Sequence, residues 1–327
     1  MKDFFVVDAA KFDGAAVTSF FAVASMSVRE KKTGSGQYLA LTLADKTGSI
    51  EARMWDDIAS AVATCSEGCY VKAQGQVSKY QGKWQITLTK MRLAAASEVN
   101  AADFVPTTQF DIGEMWAELR GYVEEFKNAD LRRLVFAFLD DEEIGAAFRA
   151  APAAKVLHHA WIGGLLEHVL ALVKVCRAMA PFYPEVDADL LVTGAILHDI
   201  GKTRELSWGA SFGYTLEGQM IGHISIAQGM LREKVSALPG FPEKLRVLVE
   251  HMILSHHGKY EFGSPKLPMT PEAMLLSALD DVEAKFAAMR REFAAAELAG
   301  KKPDETTEWV RSMDRPLLNS RAYLEEK

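Results

Sequence analysis

The sequence predicts a multi-domain protein in which an all-β barrel at residues 1–93 precedes an all-α bundle at residues 111–327, with a linker at residues 94–110. Three observations predict this organisation. Apolar residues recur with period two from Val17 to about Leu93, which is typical of strands. Beyond the linker the apolar spacing is helical, and no strand pattern interrupts it. The chain has 327 residues, which is long enough for two separate cores.

Five strands are predicted in the first domain, separated by glycine-containing turns at residues 32–36, 45–48 and 81–82. A polar, alanine-rich stretch from Asp56 to Ser66 predicts a short helix between the third and fourth strands. Three strands, a helix and two strands are the order of an OB-fold barrel, which is small enough to close around one core. The alternating residues of the last four strands are Leu39, Leu41, Leu43, Ile50, Ala52, Met54, Val71, Ala73, Gly75, Val77, Trp84, Ile86 and Leu88.

Helices are predicted from Asp111 onward, after a linker that contains Pro106. Asp111 is suited to the N-cap of the first helix, because its carboxylate can accept from free backbone N–H groups. The predicted helices span 112–126, 129–139, 142–150, 161–179, 188–199, 222–238, 241–254 and 271–297.

Charge is distributed unevenly along the chain, whose formal net charge is −7. Residues 1–93 hold 12 basic and 9 acidic side chains, a balance of +3, so residues 94–327 carry −10. A mildly basic barrel suits a phosphate backbone, and an acidic helical domain suits bound cations.

Secretion and membrane insertion are not predicted. The N-terminal residues lack a basic head followed by a long apolar run. The most apolar segment, from Trp161 to Cys176, includes charged residues and is shorter than the roughly 20 residues of a membrane span. The three cysteines, Cys65, Cys69 and Cys176, fit reduced thiols, so we expect a cytoplasmic protein.

Histidines are the sharpest signal for function, because all eight lie between residues 158 and 257. A buried imidazole without a partner is costly, so one shared site explains these residues better than separate accidents. Neighbours on a helix point about 100° apart, so the pair His198-Asp199 serves two metal ions only if Asp199 bridges them. The sequence therefore predicts a two-metal hydrolytic centre formed by His168, His198, Asp199, His223, His256, His257 and Asp280.

The order H…HD…H…HH…D resembles the HD-domain metallophosphohydrolase superfamily, with a core at about residues 155–297. The resemblance implies that one ion binds His168, His198, Asp199 and Asp280, and that the second binds Asp199, His223 and His256 with His257 as a further ligand. Asp281 stays an alternative to Asp280. Manganese is the expected metal for both ions, with iron, cobalt and zinc as alternatives that imidazole and carboxylate also suit.

Phosphate contacts are predicted for Lys202, one turn after Asp199, and for Lys259, after His257. For both lysines a solvated surface position is an equal alternative. His158, His159 and His251 are left over, and we expect His159 in particular to line the substrate cleft.

An OB-fold placed before an HD domain resembles the YhaM-type bacterial 3′→5′ exoribonucleases. The similar stretches are 38–48, 50–55, 158–168, 197–202 and 255–258. The resemblance implies single-stranded RNA as substrate, possibly single-stranded DNA also, release of nucleoside monophosphates from the 3′ end, and homo-oligomeric assembly. The alternative function is an HD phosphohydrolase or cyclic-nucleotide phosphodiesterase with a regulatory OB domain.

OB barrels bind single strands by stacking bases on aromatic rings and by following the backbone with basic side chains. For Trp55 and Trp84, packing in the core is an equal alternative. The predicted contacts are the aromatic residues Tyr38, Trp55, Tyr80 and Trp84 and the basic residues Arg53, Lys72, Lys79 and Lys83.

Overall fold

The computed structural model describes residues 2–31, 36–100, 103–154, 161–208 and 212–325. In these residues a five-stranded closed barrel precedes a set of helices, so the predicted fold class is confirmed. The chain divides into two compact units. The barrel unit comprises Met1–Thr107 with Ser207–Gly213, and the helical unit comprises Thr108–Leu206 with Tyr214–Lys327.

The barrel closes in the order β1-β2-β3-β5-β4, and β4 returns to β1. β3 and β5 pair in parallel, whereas the other neighbours are antiparallel. The predicted alternation is observed, since Leu39, Leu41 and Leu43 are buried between partly exposed neighbours. The elements are β1 (Ala16–Glu30), β2 (Gln37–Asp45), β3 (Gly48–Met54), α1 (Ile58–Thr64), β4 (Tyr70–Tyr80) and β5 (Lys83–Leu93).

The helical unit is built on α5 and α6, which are the most apolar of its helices and are packed against each other. Asp111 is the N-cap of α2 and accepts from the backbone N–H of Glu114, as predicted. The helices are α2 (Ile112–Glu124), α3 (Ala129–Leu139), α4 (Glu142–Ala150), α5 (Gly164–Met179), α6 (Ala188–Leu197), α7 (Lys202–Glu205), α8 (Leu216–Ile221), α9 (His223–Ser236), α10 (Glu243–Ser255), α11 (Pro271–Leu298) and α12 (Ser320–Glu325).

One detail corrects the prediction that no strand follows residue 111. A short antiparallel hairpin is formed by β6 (Leu206–Trp208) and β7 (Phe212–Tyr214). Each strand has three residues, which is too few for a period of two to stand out. The short helices α7, α8 and α12 were not predicted for the same reason: each is under two turns long.

Candidate metal centre

Five helical segments bring the predicted histidines and aspartates into one buried cluster. At most 3% of the surface of His168, His198, Asp199 and His256 is exposed. α5 carries His168, the turn after α6 carries His198 and Asp199, α9 begins at His223, the turn after α10 carries His256 and His257, and α11 carries Asp280.

Gly201 allows two of these segments to meet. A Cβ atom at this position would collide with the carbonyl oxygen of His223, at the start of α9. The glycine that follows the predicted His198-Asp199 pair therefore permits close approach of the backbone that carries the next ligand candidate.

The first group of ligand atoms, called site A, consists of His168 Nε2, His198 Nε2, Asp199 Oδ2 and Asp280 Oδ1. The distance from His168 Nε2 is 3.2 Å to Asp280 Oδ1 and 3.4 Å to His198 Nε2. His198 Nε2 lies 3.3 Å from Asp199 Oδ2. Ligand atoms bound to one ion at about 2.0–2.2 Å are separated by about 3–3.5 Å in tetrahedral or octahedral geometry. Two further pairs, His198 Nε2 with Asp280 Oδ1 and His168 Nε2 with Asp199 Oδ2, are 3.7 and 3.8 Å apart. Site A is therefore close to the spacing of a coordination shell.

The second group, called site B, consists of Asp199 Oδ1, His223 Nε2 and His256 Nε2. Asp199 Oδ1 lies 3.5 Å from the first imidazole nitrogen and 3.7 Å from the second. All three atoms are buried and have no hydrogen-bond partner among the residues that the structure describes. Unpaired buried polar atoms are rare and costly, so three that converge fit a bound cation. His257 lies beside them, 4.3 Å from His256 between ring centroids.

Asp199 thus faces both groups, with Oδ2 in site A and Oδ1 in site B. Burial would raise the pKa of this carboxyl, but Lys202 and the surrounding imidazoles outweigh it and hold the pKa well below its usual value. Lys202 Nζ lies 2.5 Å from Asp199 Oδ2. The lysine predicted to contact phosphate is therefore, in this structure, the counterion of Asp199.

The surroundings shift the pKa values of His168 and His256 in opposite directions. Burial lowers the pKa of His168, but the carboxylates of Asp280 and Glu283 outweigh burial and raise that pKa to about 10. For His256 burial dominates, and with His198 nearby the pKa falls well below its usual value. The imidazole of His256 is therefore neutral at physiological pH and keeps a lone pair for a metal.

Each imidazole in the cluster is oriented by its other ring nitrogen. His198, His256 and His257 donate from Nδ1 to backbone carbonyl oxygens, of Ala195, Ile253 and Phe262. His168 and His223 instead donate to carboxylates, at 2.6 Å to Glu283 Oε2 and 3.1 Å to Glu205 Oε1. Such hydrogen bonds fix the tautomer and raise the basicity of the nitrogen that binds metal.

Neither Glu283 nor Glu205 was predicted to belong to the centre. Glu283 follows Asp280 by three residues on α11, so the i, i+3 spacing placed both on one side of the helix. No spacing in the sequence relates Glu205 to His223, because the two residues are separated by the hairpin and meet only in the folded chain.

Asp280, and not its alternative Asp281, approaches His168. Asp281 is exposed and paired with Lys285. His251 lies outside sites A and B, where its Nε2 accepts from the backbone N–H of Met269. His158 and His159 lie outside the described residues.

The predicted barrel contacts include one stacked aromatic pair and several cation–aromatic pairs. Tyr38 and Trp55 stack with centroids 4.6 Å apart, and the Arg53 guanidinium lies 5.3 Å from the centroid of Tyr80. Lys72 lies over Phe20 and Lys79 over Trp84. Trp84 also packs partly against the barrel core, which was the alternative given for it. Lys259, in the helical unit, is exposed and lies near Glu261.

None of the helices in the described part of the chain is long and apolar enough to cross a membrane. Two family models match. One is described as the HD domain, at residues 165–285, and the other as an OB-fold nucleic acid binding domain, at residues 25–94.

Several curated relatives match nearly the whole chain. The 3′-5′ exoribonuclease YhaM of Halalkalibacterium halodurans is 34% identical over 302 residues, which cover 92% of each protein. The protein of that name from Bacillus subtilis is 38% identical and covers 85% of this chain and 86% of its own length. The one from Listeria monocytogenes is 36% identical and covers 93% and 95%.

Proposed function

The chain belongs to the YhaM family of 3′-5′ exoribonucleases, and from this membership we propose that it hydrolyses single-stranded RNA from the 3′ end and releases nucleoside monophosphates. The observation in this chain that carries the proposal is the position of Asp199. Its two carboxylate oxygens face two different groups of ligand atoms, as a centre with two ions requires.

The proposed centre holds two divalent ions. Site A, with His168, His198, Asp199 and Asp280, binds one, and site B, with His257 as a further ligand, binds the other. Manganese is the proposed metal, and iron, cobalt and zinc are the alternatives to compare. When bound, two such ions would supply an activated water and would neutralise charge on the phosphoryl oxygens.

Lys202 adds a positive charge beside the same carboxylate. Its ammonium group donates to the oxygen of Asp199 that faces site A. Its four-carbon stem is flexible, so the ammonium group can move to another oxygen nearby. We place its catalytic role in contacting a phosphoryl oxygen of the substrate, while Asp199 orients the centre. A cationic contact of this kind stabilises charge that develops during phosphoryl transfer.

In this proposal the barrel unit binds the single-stranded RNA. Tyr38 and Trp55 offer stacked rings for bases, and Arg53 and Lys72 offer charge for the backbone. Single-stranded DNA presents the same bases and phosphates, so it is a second substrate class to test. Cytoplasmic location and homo-oligomeric assembly complete the proposal.

The test is incubation of the full chain with Mn²⁺ and 5′-labelled single-stranded RNA. A ladder that shortens by single nucleotides from the 3′ end is expected. Cleavage of cyclic or mononucleotide esters without shortening of RNA would overturn the proposal in favour of a phosphohydrolase with a regulatory barrel. Asp199→Asn should abolish turnover, because it removes the shared charge, and should retain RNA binding measured by fluorescence anisotropy.

A further inference from the structure

Two aromatic rings are exposed beside the metal centre, on a 3-10 turn formed by Tyr260–Phe262. The exposed fraction is 65% for Tyr260 and 58% for Phe262. A single exposed apolar residue needs no explanation. Tyr260 and Phe262 differ from an isolated exposed residue because hydrogen bonds hold the turn that carries them.

The turn is attached directly to the histidine cluster. The carbonyl oxygen of Phe262 accepts from His257 Nδ1 at 2.8 Å. The His257 ring lies 5.2 Å from that of His223, between centroids. The turn is closed by backbone hydrogen bonds from Phe262 and Ser264 to the carbonyl oxygen of Lys259. The backbone of the turn that carries both aromatic residues is therefore held one hydrogen bond away from the imidazoles beside site B.

A cation accompanies the rings. Lys259 Nζ lies 5.2 Å from the centroid of Phe262 and 3.4 Å from Glu261 Oε1, an exposed salt bridge that a phosphate would have to displace. An aromatic face next to an ammonium group suits a ligand that combines a planar ring with negative charge. A nucleotide has both, and base–aromatic stacking tolerates any of the four bases.

We propose that Phe262, flanked by Tyr260 and Lys259, is a stacking platform for the nucleobase of the 3′-terminal nucleotide. This inference rests on the proposed exonuclease function and adds a contact at the cleaved end, separate from the barrel. The platform binds the terminal base while Lys259 faces its phosphate. It makes an unpaired terminal base a determinant of affinity, because a paired base cannot leave the duplex to lie against the ring without the cost of losing its pair.

The test combines Phe262→Ala with removal of the base. Two single-stranded RNAs are compared that differ only at the 3′-terminal nucleotide, which is intact in one and abasic in the other. On intact RNA the variant should raise KM by about 5- to 150-fold, the range for loss of one stacked base. On abasic RNA wild type and variant should have the same KM, and Phe262→Trp should restore binding of intact RNA.

Two results would overturn the inference: an unchanged KM on intact RNA, or an equal loss on both RNAs. Phe182→Ala is the matched control, because Phe182 is 75% exposed and follows α5 at the end away from His168, about 16 Å along the helix. It should change neither KM nor metal content. If wild-type enzyme does not shorten intact RNA at all, the proposed function fails. If wild-type enzyme shortens intact RNA but Phe262→Ala and removal of the terminal base affect KM independently, the proposed function stands and only the stacking platform is refuted.

Discussion

Replacing Glu283 by glutamine should weaken metal binding at site A and leave site B intact. The carboxylate accepts from His168 Nδ1 at 2.6 Å and is buried. Glutamine has the same size but no charge, and charge-assisted hydrogen bonds are roughly twice as strong as neutral ones. Removing such a partner of a ligand typically costs about 10–100-fold in metal affinity, which is about 1.4–2.7 kcal/mol.

The assay is calorimetric titration of the metal-free protein with Mn²⁺, together with electron paramagnetic resonance to distinguish single ions from coupled pairs. Wild type should bind two ions, and Glu283→Gln should bind one of them more weakly. Glu205→Gln should show the mirror result at site B. Glu250→Gln is the control, since this carboxylate is equally buried but binds Gln228 and Arg232. Unchanged affinity in Glu283→Gln, or an equal loss of both ions, would refute the reasoning.

Gly201, Tyr38 and Asp141 test the packing, the strand binding and the helix caps respectively. Gly201→Ala should destabilise the fold by about 1–3 kcal/mol, because its Cβ atom would collide with the backbone of His223. The free energy of unfolding in urea measures this loss. Gly229→Ala on α9 is the control and should be neutral or stabilising, because no described heavy atom lies within 4 Å of the added Cβ. Tyr38→Ala should raise KM for RNA with little effect on hydrolysis of a small phosphodiester, and an effect on both substrates would contradict a role in strand binding. Backbone N–H groups at the start of α4 and a lysine of α9 lower the pKa of Asp141. The carboxylate therefore contributes fully to stability above about pH 5, and this contribution is lost as the pH falls through the pKa of the folded state. Asp141→Asn keeps the cap and should lose less stability on acidification, measured by unfolding at several pH values.

The sequence predicted those features that repeat or cluster. Alternation identified the inward residues of the barrel, as with Leu41 and Ile86, because the period of two is a direct consequence of strand geometry. The HD pair and the surrounding histidines were predicted to meet because buried imidazoles in apolar helices need partners. The structure brings these side chains together, and binding of metal by them stays a prediction.

Features that depend on tertiary contact were not predictable. Glu205 gains its role only because the chain returns to His223 after the hairpin. The turn that exposes Phe262 has no periodic signal, and its carbonyl oxygen meets His257 through a hydrogen bond from the imidazole side chain. Lys202 was placed near the centre by its spacing from Asp199, but the ion pair between them follows from rotamers that the sequence does not specify.

The two carboxylate oxygens of Asp199 face different sites, and this affects how the enzyme responds to the concentration of free divalent metal. Lys202 lies on the oxygen that faces site A, whereas the oxygen that faces site B has no hydrogen-bond partner among the described residues. An ion at site A would therefore compete with an ammonium group for its oxygen, whereas an ion at site B would not. We expect the two positions to fill at different concentrations of free divalent metal, so that RNA decay by this enzyme would follow the filling of the weaker one.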